Sequence, residues 1–199
     1  MVALVTGRVL AVAIDDFNWR WVLFLVFSAG IVLISWKSLR NWRSHGFFRF
    51  FAFEAILALI LLNLEFWFHQ PFSVRQILSW LLLLLSLFLA VHGFTLLRRI
   101  GKPDASIDDP ALLNIEKTTR LVKAGAYRYI RHPLYASLLY LAWGAFLKHP
   151  SLVGAGLGMI ATLALYATSR MEEAENTGHF GAEYAEYIQQ TKMFIPYVF

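Results

Sequence analysis

Residues 77–97, ILSWLLLLLSLFLAVHGFTLL, contain no Asp, Glu, Lys or Arg. Wound as an α-helix, this stretch rises about 31 Å, enough to cross the roughly 30 Å hydrocarbon core of a bilayer. Its leucines fall on every face, so water cannot be its solvent and the backbone has to satisfy its hydrogen bonds within the helix. The rest of the chain agrees. Of its 199 residues, 58% are hydrophobic and 16% charged, and the mean hydropathy is +0.55, too apolar for a water-soluble domain of this length. Many of the seven Trp and 17 Phe lie at the ends of apolar runs, where amphipathic rings settle at a membrane interface. There is no cysteine, which removes disulfides, thiolate metal sites and a cysteine nucleophile from consideration.

Five further apolar runs can be placed around this one. Met1 to Ile14 contains Arg8 and is followed by Asp15 and Asp16. It lacks the basic start and small-residue cleavage site of a signal peptide and reads as a short interfacial helix or loose tail. Trp21 to Trp36 is the first span. Phe47 to Phe68, which carries Glu54 and Glu65, is the second, and residues 77–97 are the third. Leu134 to Leu147 and Ser151 to Thr168, separated by Lys148, His149 and Pro150, read as a helical hairpin of spans four and five. Arg98 to Arg131, with GKPDASIDDP, is polar and too long for a tight turn. Arg170 to Phe199 reads as an amphipathic helix outside the hydrocarbon.

The expected architecture is an all-α integral membrane protein of about five transmembrane helices. Residues 1–100 would hold the interfacial segment and spans one to three. Residues 101–199 would hold the long loop, spans four and five and the C-terminal helical segment. Basic residues orient it, because Lys and Arg favour the cytoplasmic side. Four follow span one and eight lie between Arg98 and Arg131, against only Arg75 after span two and only Lys148 between spans four and five. This alternation puts the N-terminus outside and the long loop and C-terminus in the cytoplasm. The net charge of +5 is spread beside apolar runs, which fits anionic lipid headgroups and not nucleic acid.

The chemistry concentrates at one end. LVKAGAYRYIRHPLYAS, residues 121–137, packs Arg131, His132, Pro133 and Tyr135 into five positions just before span four. Pro133 suits the first turn of a helix, leaving Arg131 and His132 at a positive helix N-terminus that favours an anionic group. An isolated Arg-His pair could equally be two snorkelling interfacial side chains. A second cluster weighs against that. Span five ends in SRMEEAENTGHFGAEYAEY, and the hairpin returns it to the face from which it started. Residues 131–135 and 170–173 therefore meet at one membrane face. Cations, carboxylates and aromatics converging there suit a zwitterionic, aromatic, positively charged ligand.

With GAYRYIRHPLYAS, then the acidic pair, then FGAEYAEY and a terminal FIP, the sequence resembles the isoprenylcysteine carboxyl methyltransferases and their phospholipid methyltransferase relatives. The resemblance covers residues 121–199; the earlier spans match in character alone. It implies an S-adenosylmethionine site without a Rossmann domain, formed by the cytoplasmic ends of the last two spans and the C-terminal segment. Cofactor-binding residues would be Val122, Gly125, Tyr127, His132, Pro133, Tyr135, Glu172, Glu173 and Tyr184. Arg131, Glu172 and Arg170 would be the catalytic group, and no metal is implied. The family arginine about one turn before the acidic pair is Thr168 here, with Arg170 the nearest replacement. A family leucine between the pair and the Phe-Gly is Asn176.

Such an enzyme would methylate a lipophilic small molecule or lipidated substrate reaching it through the bilayer, an isoprenylcysteine-like carboxylate first and a phospholipid or other lipid amine as the alternative. Glu54, Glu65 and His92 are the candidate substrate-facing groups, since ionisable residues within spans are functional candidates. Eleven residues apart, Glu54 and Glu65 would share one face of span two, about 16 Å apart along its axis, or could instead both sit near the membrane surfaces, close to Arg49 and His69. His92 could instead be a hydrogen-bonded helix-packing residue. Two rival classes stay open at this level: a non-enzymatic transporter or scaffold subunit, and a lipid reductase using a nicotinamide cofactor.

Overall fold

The computed structural model describes residues 2–102 and 119–198. Helix dominates these residues, in the order α1 (Val2–Leu39), α2 (His45–Leu62), α3 (Val74–Leu96), α4 (Pro133–Phe146), α5 (Leu152–Phe180) and α6 (Ala182–Gln190). Among them the sole strand-like pairing is an isolated parallel bridge between Ile130 and Lys192. Four stretches are long and apolar enough to cross a membrane: Trp19–Leu39, His45–Leu62, Val74–Gly101 and Leu152–Phe180. α4, with 14 residues, is the short member of the set. The five expected spans are therefore present as helices in an all-α membrane architecture. Residues 103–118, which include most of GKPDASIDDP, lie outside the described residues.

Helix starts follow the local chemistry. The hydroxyls of Ser44, Ser73 and Ser151 accept the backbone N–H of Phe47, Gln76 and Gly154 and so cap α2, α3 and α5. Pro133 occupies the first turn of α4, where its missing N–H costs nothing. Sorting of side chains is that of a lipid-bathed bundle. α3 turns Gln76, Ser79, Ser86 and Gly93 inward and leaves Leu81, Leu84, Leu87, Phe88 and Val91 exposed. Small residues let backbones approach: a Cβ on Gly144 of α4 would stand 3.0 Å from the Leu83 side chain of α3. Ala142, Ala145 and Ala161 of α4 and α5 pack with Ala55, Ile56 and Leu59 of α2 in one buried cluster.

Three boundaries differ from expectation. α1 runs unbroken from Val2 into the first span, so the N-terminal stretch is helical and continuous with span one. α2 stops at Leu62 and not at Phe68, because Asn63 leaves the helix and its buried amide donates to Ala145 O at 2.8 Å. Glu65 then sits in the 3-10 turn Leu64–Phe66, exposed and paired with Arg20 of α1. It does not share a helix face with Glu54, whose carboxylate accepts a hydrogen bond from Ser28 Oγ of α1 at 2.9 Å. α5 passes through the acidic pair to Phe180 and ends at Gly181, whose φ of +61° breaks the helix before α6. With 29 residues it rises about 43 Å, roughly 13 Å more than the hydrocarbon is thick, so its last two to three turns can project beyond the membrane.

The membrane end away from the C-terminus is closed by one lysine. Lys148, fully buried in the α4–α5 turn, lies with Nζ 3.5 Å from the centre of the Trp80 ring. It donates to Gln76 Oε1 at 3.0 Å and to Trp67 O at 3.3 Å. Arg75 of α3 donates to the carbonyls of Leu147 and Lys148 from the side, and His149 stacks on Phe66 with ring centres 3.9 Å apart. Lys148→Ala strips the cation from the ring and orphans a buried amide oxygen. Its expected cost is about 2–4 kcal/mol, read as a fall in the thermal midpoint of the detergent-solubilised protein. An unchanged midpoint would show that the lysine holds nothing.

Candidate functional site

At the opposite end, the chain between α3 and α4 approaches the projecting turns of α5. Its first fixed point is the 3-10 turn Gly125–Arg128. Gly125 has φ +57°, and a Cβ there would stand 2.4 Å from His92 Nε2, so only glycine fits beside this histidine. His92, stacked on Phe88, accepts the Ala126 N–H at 3.3 Å. Histidine 92 thus positions the turn and does not line the cleft described below. The second fixed point is the bridge to the C-terminal segment. Arg131 N–H donates to Lys192 O at 2.8 Å, His132 N–H to Met193 O at 3.2 Å, and Lys192 N–H to Tyr129 O at 3.0 Å. Phe194, almost fully buried, seals this junction from beneath.

Arg131 then joins three elements. Its Nε donates to Glu173 Oε1 of α5 at 2.6 Å, and its Nη1 donates to Thr191 O at 2.5 Å and Ile188 O at 3.3 Å. His132, buried and stacked on Tyr135 with centres 5.6 Å apart, puts Nε2 3.4 Å from Glu173 Oε1 and Nδ1 3.8 Å from Glu172 Oε1. Residues 131–135 and 170–173 therefore meet, as the hairpin topology requires. Arg170 is on the outside: its side chain is 61% exposed, with Nη1 3.4 Å from Glu173 Oε2. Thr168, at the family arginine's position, is buried and bonds Ala164 O of its own helix. The other oxygen of Glu172, Oε2, is buried without a hydrogen-bond partner among the described residues.

Between these parts lies a cleft that opens to the surface, with about 650 Å³ of space once its open mouth is counted. One wall is aliphatic, from Leu97, Leu121, Val122 and Leu134. The other is polar and aromatic, from Tyr127, Arg131, His132, Tyr135, Glu172, Asn176, Phe180, Tyr184 and Tyr187. Burial pushes the Tyr184 phenol well above its ordinary pKa and the Glu172 charge adds to the rise; burial likewise raises Tyr187, with Tyr184 adding. Both are neutral hydroxyls at any physiological pH. The Tyr187 hydroxyl donates to Tyr127 O at 2.6 Å and so closes α6 over the loop. An orphaned carboxylate oxygen ringed by aromatic faces suits an organic cation, and the aliphatic wall suits a hydrocarbon group.

Of the residues expected from sequence, Val122, Tyr127, Arg131, His132, Tyr135, Glu172 and Tyr184 line this cleft. Gly125, Pro133 and Glu173 stand behind it and shape it. Glu54 and Glu65 are not brought to it, because both are turned toward α1. Among the lining residues that the sequence did not suggest as site residues, Asn176 and Phe180 had a legible signal. Glu172, Asn176 and Phe180 are spaced by four, which is one face of a helix, provided that α5 is allowed to continue past Thr168. Leu97, Leu121 and Leu134 had none, since a leucine beside a membrane span is ordinary.

No curated protein and no solved structure matches the chain. A sequence profile of one family does: phospholipid methyltransferase, over residues 74–183. That region begins with the first residue of α3 and ends just inside α6, so it takes in every lining residue of the cleft except Tyr184 and Tyr187. It spans more than half of the 199 residues. The apolar helices, the cleft at their end and this match together make the chain a multi-pass membrane methyltransferase that belongs to the phospholipid methyltransferase family.

Proposed function

We propose that the cleft binds S-adenosylmethionine and that the methyl group passes to a lipophilic acceptor reaching the cleft from the bilayer. The observation that carries this reading is the Glu172 carboxylate, with a buried oxygen that has no hydrogen-bond partner among the described residues, in a cleft also lined by Tyr135, Phe180 and Tyr184. A cationic sulfonium ligand with an amino group would meet that charge, and aromatic faces would flank its cation and its purine. His132 is the group for a ligand carboxylate or for polar hydrogen bonding beside Glu172. Glu173 acts one step back, holding Arg131 and His132 in place. Arg131, with Nε and Nη1 already engaged, braces the site and contributes positive charge to it. Residues 101–199 would form the catalytic core, closed by Leu97 from the N-terminal unit.

The cofactor supplies a methyl group already activated on sulfur, so the protein's part is to align the two reactants and keep water out. Tyr187 and Phe194 serve the second task by sealing the loop from both sides. A carboxylate acceptor of the isoprenylcysteine kind would arrive as a nucleophile. A phospholipid or other lipid amine, which the family match supports, must first lose a proton, and Glu172 and His132 are the groups within the cleft that could accept it. The Lys and Arg distribution along the sequence supports a cytoplasmic cleft and C-terminus, with the N-terminus outside.

Calorimetry with S-adenosylhomocysteine tests the site. His132→Ala and Glu172→Gln are each expected to weaken binding at least about 10-fold, or 1.4 kcal/mol, in protein that still folds in detergent. Glu54→Gln and Glu65→Gln should bind as wild type. Tight binding of NADPH in place of S-adenosylhomocysteine would overturn the cofactor assignment. Acceptor class is read separately: with labelled cofactor and membrane extract, label is expected in the organic phase, base-labile if a carboxyl ester forms and base-stable if an amine is methylated. Label confined to water-soluble products would refute a lipophilic acceptor.

A further inference from the structure

The projecting turns of α5 carry their acidic residues on different faces. Glu172 looks into the cleft, with Asn176 and Phe180 one and two turns on. Glu173 holds Arg131. Glu175 turns the other way, and its Oε2 accepts a hydrogen bond from His45 Nδ1 at 2.6 Å. His45 is the first residue of α2 and its side chain is fully buried. Its position is set by the α1–α2 connector, where Ser44 Oγ donates to Asn41 O at 2.8 Å while capping Phe47 N–H. α2 packs along α5 through the membrane, and the His45–Glu175 bond continues that packing past the hydrocarbon, to the turns that bear the cleft. The positive N-terminal end of α2 adds to the attraction for a carboxylate. His45 precedes residue 74 and so lies outside the region that matches the family.

We propose that His45 and Glu175 form a positioning couple through which the two N-terminal helices set the affinity of the cleft for its cofactor. This rests on the reading of the cleft as an S-adenosylmethionine site. Neither residue lines the cleft; the couple acts by fixing where the end of α5, and with it Glu172, stands relative to the His132 loop. Loosening it lets α5 swing while the chemistry of the lining stays intact. The signature is therefore lower affinity with the turnover rate at saturating cofactor retained.

The test uses the full chain in detergent. His45→Ala and Glu175→Ala are each expected to weaken S-adenosylhomocysteine binding on the order of 10-fold, with kcat at saturating cofactor within about twofold of wild type. The double variant should bind no more weakly than either single one, and His45→Gln, which keeps a donor, should recover most of the loss. Ser28→Ala, which removes the tie to Glu54 far from the cleft, controls for general destabilisation and should leave binding unchanged. Wild-type affinity in both single variants, or losses that multiply in the double variant, would overturn the couple. If His45→Ala does not fold, Glu175→Ala, at a side chain 40% exposed, decides alone. Failure of the wild-type protein to bind S-adenosylhomocysteine would sink the cofactor assignment and the couple with it, whereas wild-type binding with indifferent variants sinks only the couple.

Discussion

The end of this bundle that holds the cleft is organised by a single ion pair, Arg131 with Glu173. Taken alone, a largely buried ion pair is a poor source of stability, because desolvation cancels most of its attraction. This one is useful for its connections. Arg131 also serves two carbonyls near the C-terminus, and Glu173 is shared by His132 and Arg170. Loop, helix extension and terminal segment are thus held by one pair of side chains, and the walls of the cleft face each other because of it. Removing either charge leaves the other buried without its counterpart, so the two positions constrain one another more tightly than either constrains its own element.

Around that pair, the division of labour follows backbone position. His132 and Glu172 point into the cleft, while their sequence neighbours Arg131 and Glu173 point across to each other's elements. The acidic pair is accordingly one acid that lines the cleft and one that holds Arg131. The same separation appears at Gly125 and His92: the glycine gives the chain its left-handed turn, and the histidine fills the space a side chain would occupy. His92, singled out as an intramembrane ionisable group, earns its place through the Ala126 N–H.

Much of this was legible before any coordinates. The uncharged run ending at Leu97 demands a membrane helix, and the Lys148-His149-Pro150 break between two apolar runs demands a hairpin whose return brings residue 131 near residue 173. What the sequence could not disclose were helix ends and lateral pairings. Phe66, Trp67 and Phe68 look like a continuation of span two, yet Asn63 finds a buried carbonyl on α4 and ends the helix there, a partner 82 residues away that no local pattern reveals. For that reason Glu65 lies in the turn after α2 and not on a helix face shared with Glu54. Polar residues after Thr168 suggested a break in α5, but a helix leaving the membrane can stay helical in water, and Gly181 supplies the stop. The lining leucines carry no signal, since their role depends on which neighbour they face.

The brevity of α4 has a consequence for where the reaction takes place. Its 14 residues span about 21 Å against roughly 30 Å of hydrocarbon. The caged Lys148 turn holds one end, so the other, with His132 at its tip, stops short of the far headgroup layer. Hydrophobic mismatch of this size is met by thinning of the surrounding lipid or by a recess in the protein. Thinning brings the lipid surface down to His132 and a recess leaves His132 beneath it, so in either case this end of α4 is not lifted clear of the leaflet.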